Sequence, residues 1–69
     1  INKDLALVIS ALAEELTPQQ RMIFALRDLQ DIEIKKNKKI LNMSADNIKS
    51  NLYYARKNIG EKLVKMNLI

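Results

Sequence analysis

Ile40-Leu41-Asn42-Met43-Ser44-Ala45-Asp46-Asn47-Ile48-Lys49-Ser50-Asn51-Leu52-Tyr53-Tyr54-Ala55-Arg56 is the stretch whose reading decides the fold. Asparagine tolerates the left-handed conformation that ends a helix, so Asn42 marks a stop. Met43 can pack beneath the turn. Ser44 suits the N-cap of a following helix, and Asp46 in its first turn favours the positive end of the helix dipole. From there Ile48, Leu52, Ala55, Ile59, Leu63 and Met66 recur at spacings of 4, 3, 4, 4 and 3. One face is apolar and the rest is Lys, Asn, Ser, Tyr and Arg, which predicts a long amphipathic helix over 45–66. Such a helix spans roughly 33 Å. Gly60 lies inside it, at a cost of about 1 kcal/mol relative to alanine.

Outward from this stretch, the upstream chain also reads as helix. Leu5, Val8, Ile9, Leu12, Ala13 and Leu16 form an apolar stripe predicting a helix over 4–16, with Asn2 or Asp4 as its cap. Thr17-Pro18-Gln19-Gln20 has the form of a capping box with proline at the first helical position. A second helix over 18–29 follows, with Met22, Ala25, Leu26 and Leu29 as its stripe, Ile23 on the flank and Phe24 pointing away. Asp31 is placed to cap a third helix over 32–41. The expected architecture is all-α, a single four-helix domain over residues 1–69. Its core is expected around Leu12, Leu16, Ile23, Leu26, Leu41, Ile48, Leu52 and Ala55. Two helices joined by the short turn Asn42-Met43-Ser44, the second with a polar face, make a helix-turn-helix with a long recognition helix.

Composition removes several classes of function. The chain has 69 residues, no Cys and no His, so zinc fingers, thiolate metal sites and Ser-His-Asp triads lack their ligands or bases. A single glycine excludes a Gly-rich phosphate loop. Glu14 and Glu15 are neighbours and point apart, so they form no catalytic carboxylate pair. No enzyme and no cofactor is expected. The longest apolar run, 5–9, is too short to cross a bilayer, and the start at Ile1 is neither a signal peptide nor an initiator methionine. The expectation is a cytoplasmic domain excerpted from a longer chain.

Charge is divided along the sequence. Residues 1–33 hold Lys3, Arg21 and Arg27 against six carboxylates, a net −3, while residues 34–69 hold nine Lys/Arg against Asp46 and Glu61, a net +7. A basic half on an acidic half suits a nucleic-acid partner. The N-terminal part of a recognition helix reaches base edges in the major groove. There Asn47, Ser50 and Asn51 are candidates for bases, Lys49 for base or phosphate, and Arg56 and Lys57 for phosphates.

The run Leu16-Thr17-Pro18-Gln19-Gln20-Arg21, then Leu26-Arg27, resembles the opening of the C-terminal domain of extracytoplasmic-function sigma factors. The stretch from Ile40 to Arg56 is similar to that family's turn and recognition helix, most closely in Ile48-Lys49-Ser50, Leu52 and Ala55-Arg56. The resemblance covers residues 10–65. It implies binding of the upstream (minus thirty-five) promoter element, docking on the β-subunit flap of RNA polymerase, and occupation by an anti-sigma factor. It places DNA contacts at Asn47, Lys49, Ser50, Asn51, Tyr54 and Arg56. Phe24, facing away from its own stripe, either packs on the first helix or helps form an apolar surface that meets the flap. One departure stands out. The buried centre of the third helix, apolar then alanine in the family, is here Asn37-Lys38, and an unpaired buried amide costs about 1–3 kcal/mol.

Two other readings fit these residues. The DNA-binding domain of a two-component or quorum-sensing regulator shares the Leu-Thr-Pro start and four-helix build. A protein-interaction module that has lost DNA binding accommodates Asn37, Lys38 and the tyrosines.

Overall fold

The computed structural model describes residues 3–69. Among them are four helices and no strand. Helix α1 is Lys3–Ala13, α2 is Pro18–Phe24 continued by a π-helical segment Ala25–Leu29, α3 is Ile34–Leu41, and α4 is Ala45–Lys65. Asn2, one candidate cap of α1, lies outside the described residues, and Asp4 is in the first turn of that helix.

Helix α1 stops three residues earlier than its apolar stripe. The amides of Glu14, Glu15 and Leu16 turn back to the carbonyls of Ala11, Leu12 and Ala13 at 3.2, 3.0 and 3.2 Å, a tightening into 3₁₀ geometry. The cause is Pro18, which holds Thr17 in an extended conformation (φ −59°, ψ 155°). The Thr17 hydroxyl accepts from the Gln20 amide at 3.3 Å, as the capping motif requires. The reciprocal bond from the Gln20 side chain is not formed among the described residues.

The phase of α2 differs from its predicted stripe. Ile23 and Phe24 are buried (0% and 5% exposed), whereas Met22 and Leu29 are exposed. Two adjacent side chains can both be buried because α2 has neighbours on two sides. Phe24 shares the wall of a surface hollow with Ala6 and Ile9 of α1, while α2 packs along α4. Beyond Phe24 the helix widens, and the Gln30 amide bonds the Ala25 carbonyl at 2.9 Å. A π turn holds one more residue than an α turn, so a 3.6-residue period carried through it misplaces Leu29. Phe24 is thus a core residue, in keeping with the packing expected of it, and the alternative exposed setting is not found.

Asp31 does not cap α3. It takes the left-handed conformation (φ 56°) that closes the π segment, with the Ile32 amide reaching the Leu26 carbonyl at 2.8 Å. Helix α3 starts two residues later than expected, after Glu33, whose side chain makes no capping bond. Asn37 is fully buried in α3 as expected, but Lys38 is exposed, so the buried centre is one residue rather than two. Asn37 donates from Nδ2 to the Ile32 carbonyl at 3.1 Å, and its Oδ1 has no partner.

The core gathers on α4. Ile48, Leu52, Ala55, Ile59 and Leu63 are buried along one line and meet Ala13, Leu16, Ile23 and Phe24. Leu12 and Leu41 pack on this cluster from its margin, and Leu26 is half-buried. Helix α4 runs through Gly60 without a break and ends in a Schellman motif. Asn67 is left-handed (φ 57°), with Leu68 and Asn67 amides on the Leu63 and Val64 carbonyls, both at 3.0 Å.

Two stability outcomes follow. Phe24→Ala should cost about 3–5 kcal/mol as a core truncation. A chain of this size has on the order of 3–10 kcal/mol in all, so loss of most helical circular dichroism at room temperature is expected. Asn37→Ile should stabilise the fold by about 1 kcal/mol, read as a higher urea midpoint, because it removes an orphaned acceptor and adds apolar burial. A lowered midpoint would show that the Asn37 bond to Ile32 outweighs both.

Candidate nucleic-acid interface

The interface is built on the α3–α4 corner. Asn42 at φ 54°, ψ 46° ends α3 in the left-handed conformation. Ser44 is extended, and its hydroxyl accepts from the Asn47 amide at 3.2 Å, starting α4. Met43, half-buried between them, packs on the core and pins the corner. These local bonds fix where α4 begins, and its buried line fixes which residues face out.

At about 100° per residue, the side of α4 opposite the buried line is centred on Ser50 and Lys57. Asn47 and Tyr54 flank that centre on one side, and Tyr53, Lys49 and Arg56 on the other. All seven are exposed. The two tyrosine rings meet edge to face, with centroids 5.2 Å apart. Asn51 is different. It is half-buried at the edge of the core face, and its Nδ2 donates to the Asn47 carbonyl at 2.8 Å. That bond uses one of the two Nδ2 hydrogens and holds the amide against its own helix, leaving one N–H and Oδ1 for an outside partner.

Arg56 also has a partner inside the protein. Its Nε and Nη2 donate to the two oxygens of Asp28 at 2.8 and 2.7 Å, a bidentate fork across 28 residues of sequence. These hydrogen bonds raise the guanidinium pKa above its ordinary value, with desolvation opposing and the Asp28 charge assisting. Two of the five guanidinium N–H groups are committed, and three remain for an external acceptor. Arg56 therefore braces α4 against the π segment, while its other edge stays open.

Beside this brace runs a groove of about 550 Å³. Arg27 and Ile34 wall one side, and Lys49, Tyr53, Arg56 and Lys57 line it along α4 over Leu52. Arg27 and Asp28 were not among the expected contact residues. Asp28 had no signal in spacing, because its partner is joined to it only by the tertiary fold. Arg27 stands in the resemblance motif, and its bond to Asp31 at 3.0 Å leaves it at the groove wall.

The other expected placements are simple. Glu14 and Glu15 bond different cations, Arg21 and Lys62, both at 3.4 Å, so they do point apart. Among the described residues no group of carboxylates is placed to hold a metal ion, and no helix is long and apolar enough to cross a membrane.

The Asp28–Arg56 pair predicts a thermodynamic coupling. Arg56→Ala and Asp28→Ala should each lower the thermal midpoint, and the double variant should fall little below either. The coupling energy in a double-mutant cycle should be about 0.5–1 kcal/mol, since the pair is partly open to solvent. Strictly additive losses would mean that the fork contributes nothing to folding.

A capped corner and a long helix with lysines on its outer face agree with the family that the sequence matches. Residues 6–59 match the family described as Sigma-70, region 4. Neither a curated protein nor a solved structure matches the chain. The match spans well over half of the residues and contains α3, the turn and α4 as far as Ile59, and the chain belongs to the sigma-70 region 4 family, the promoter-binding part of sigma factors that direct transcription initiation.

Proposed function

We propose that this domain reads the upstream (minus thirty-five) promoter element through the outer face of α4, as part of a sigma factor of the extracytoplasmic-function group acting in the cytoplasm. The role is one of binding, with no catalysis and no cofactor. The observation that carries it is the segregation of α4. Its core residues occupy one line, and Asn47, Lys49, Ser50, Tyr54 and Lys57 stand free on the other side, beginning at the capped amino end that enters a major groove.

The roles divide by chemistry. Asn47 and Ser50 lie in the first two turns and carry short polar groups suited to base edges. Lys49 serves base or phosphate, and Tyr54 adds a broad, polar-tipped surface beside them. Lys57 and the open edge of Arg56 lie farther along and meet phosphates. Asn51, half-buried and tied to the Asn47 carbonyl, has one N–H and its Oδ1 left for a base edge. Polymerase binding belongs to the family as a whole. Docking on the β-subunit flap and capture by an anti-sigma factor are carried here by resemblance alone. Phe24 takes no part in either, because it is core.

The test is binding of the domain to duplexes from a randomised promoter library at low salt. Asn47→Ala should relax preference at one base pair, at a cost of about 1–3 kcal/mol on the preferred site. Lys57→Ala should weaken all sequences alike and reduce the salt slope by about one unit. If both variants keep the parent's preference and salt dependence, α4 is not the reading helix, and a module that binds only protein becomes the better description. Stable dimers on paired half-sites would instead favour a regulator of the two-component or quorum-sensing kind.

A further inference from the structure

Helix α3 carries Lys35, Lys36, Lys38 and Lys39, all exposed, on a helix of eight residues. Its inward side is set by Ile34, Asn37 and Leu41. At about 100° per residue, the lysines fill one continuous arc, in the order Lys38, Lys35, Lys39, Lys36. Ile40 and Glu33 take the remaining flank.

Lys38 and Lys39 in the last turn suit the helix dipole, but the rest of the arrangement weakens the helix. Lys35 faces Lys38 and Lys39, and Lys36 faces Lys39, at the three- and four-residue spacings where like charges repel. Lys35 and Lys36 lie in the first turn, at the positive end of the dipole, with no acid there. Glu33 at the N-cap is the nearest carboxylate along the chain, and it forms no ion pair with the arc. Glu14, Glu15, Asp28 and Asp31 are bonded to Arg21, Lys62, Arg56 and Arg27. Among the described residues no α3 lysine has a carboxylate within ion-pair distance.

We propose that the lysine arc of α3 is a second DNA surface, one that grips the phosphodiester backbone without reading sequence. It rests on the assignment of α4 as the reading helix. In a helix-turn-helix the first helix crosses the backbone while the second enters the groove, which puts α3 against phosphates. Ammonium groups on flexible stems suit phosphate oxygens and carry no fork for base recognition. Eight residues span about 12 Å of helix, comparable with the rise of three nucleotides at about 3.4 Å each. Two or three of the four lysines can therefore meet phosphates together. Phosphates in the arc also relieve the repulsion that burdens α3 in the free protein.

The test compares the parent chain with the fourfold variants Lys35→Gln/Lys36→Gln/Lys38→Gln/Lys39→Gln and the matching all-Arg set. Fluorescence anisotropy is measured over a salt series on a random-sequence duplex and on the duplex selected for the parent. The Gln set should flatten the plot of log affinity against log salt by about 2–3 units on both duplexes. The Arg set should keep the parent's slope, and the order of preferred sequences should not change. If the Gln set reduces helical circular dichroism, the pairs Lys35→Gln/Lys39→Gln and Lys36→Gln/Lys38→Gln should each give about half the effect. A parent-like slope in the Gln variants, with the parent binding DNA, overturns the α3 surface and leaves α4 reading intact. A flattened slope, together with Asn47→Ala and Lys49→Ala variants of unchanged sequence preference, supports the α3 surface and removes the reading role from α4. A parent chain that binds no duplex overturns both.

Discussion

The buried line Ile48-Leu52-Ala55-Ile59-Leu63 is the constraint on which the domain depends. Each of the other helices packs against α4, and the core residues contributed by α1 and α2 meet this line rather than forming a separate cluster. Full burial of an aliphatic side chain contributes about 1.5–3 kcal/mol, so these few positions supply much of what a small chain can gather. The alanine at the middle lets neighbouring helices come close. Because the same helix is both the centre of the core and the carrier of the outer polar face, orienting one orients the other. The interface is therefore as well defined as the core.

Charge is organised by the same geometry. The acidic half of the chain is not free to repel a nucleic acid. Four of its six carboxylates are bonded to cations within the fold, two of them on α4 itself, through Arg56 and Lys62. What stays unpaired is mainly lysine on α3 and α4. The division between residues 1–33 and 34–69 that is visible along the sequence becomes a division between a neutralised support and an open basic face. In that setting the Arg27, Asp28 and Arg56 cluster serves as scaffold and groove wall together.

Much of this was legible in the sequence because it is local. The stop at Asn42, the cap at Ser44 and the cap at Thr17 depend on bonds spanning three or four residues, and the phase of α4 is a simple periodicity over about four turns, from Ile48 to Leu63, beyond which Met66 is exposed. The phase of α2 was not legible. Ile23 and Phe24 are both buried because two helices flank α2, and the π turn after Phe24 breaks the period on which the predicted stripe relied. Asp31 has the side chain of an N-cap and lies before a helix, yet the end of the preceding helix claims it. For the candidate site, residue types and exposure were readable at Asn47, Lys49, Ser50, Tyr54 and Lys57. The commitments of Asn51 and Arg56 were not, since one depends on a rotamer and the other on a partner far along the chain. Asn37 was recognised as a misfit, while Lys38 lies one step around the helix, in solvent.

The separation of faces on α4 has a consequence for how such a domain can change over time. Residues on the outer face make few bonds to the rest of the molecule, so under the proposed reading an exchange at Asn47, Ser50 or Tyr54 alters what is recognised with little effect on folding. Arg56 and Asn51 sit at the seams between the two faces and hold internal bonds. A change at a seam alters recognition and stability at once. Diversification of target preference is thereby channelled to the middle of the outer face, and the seams resist it.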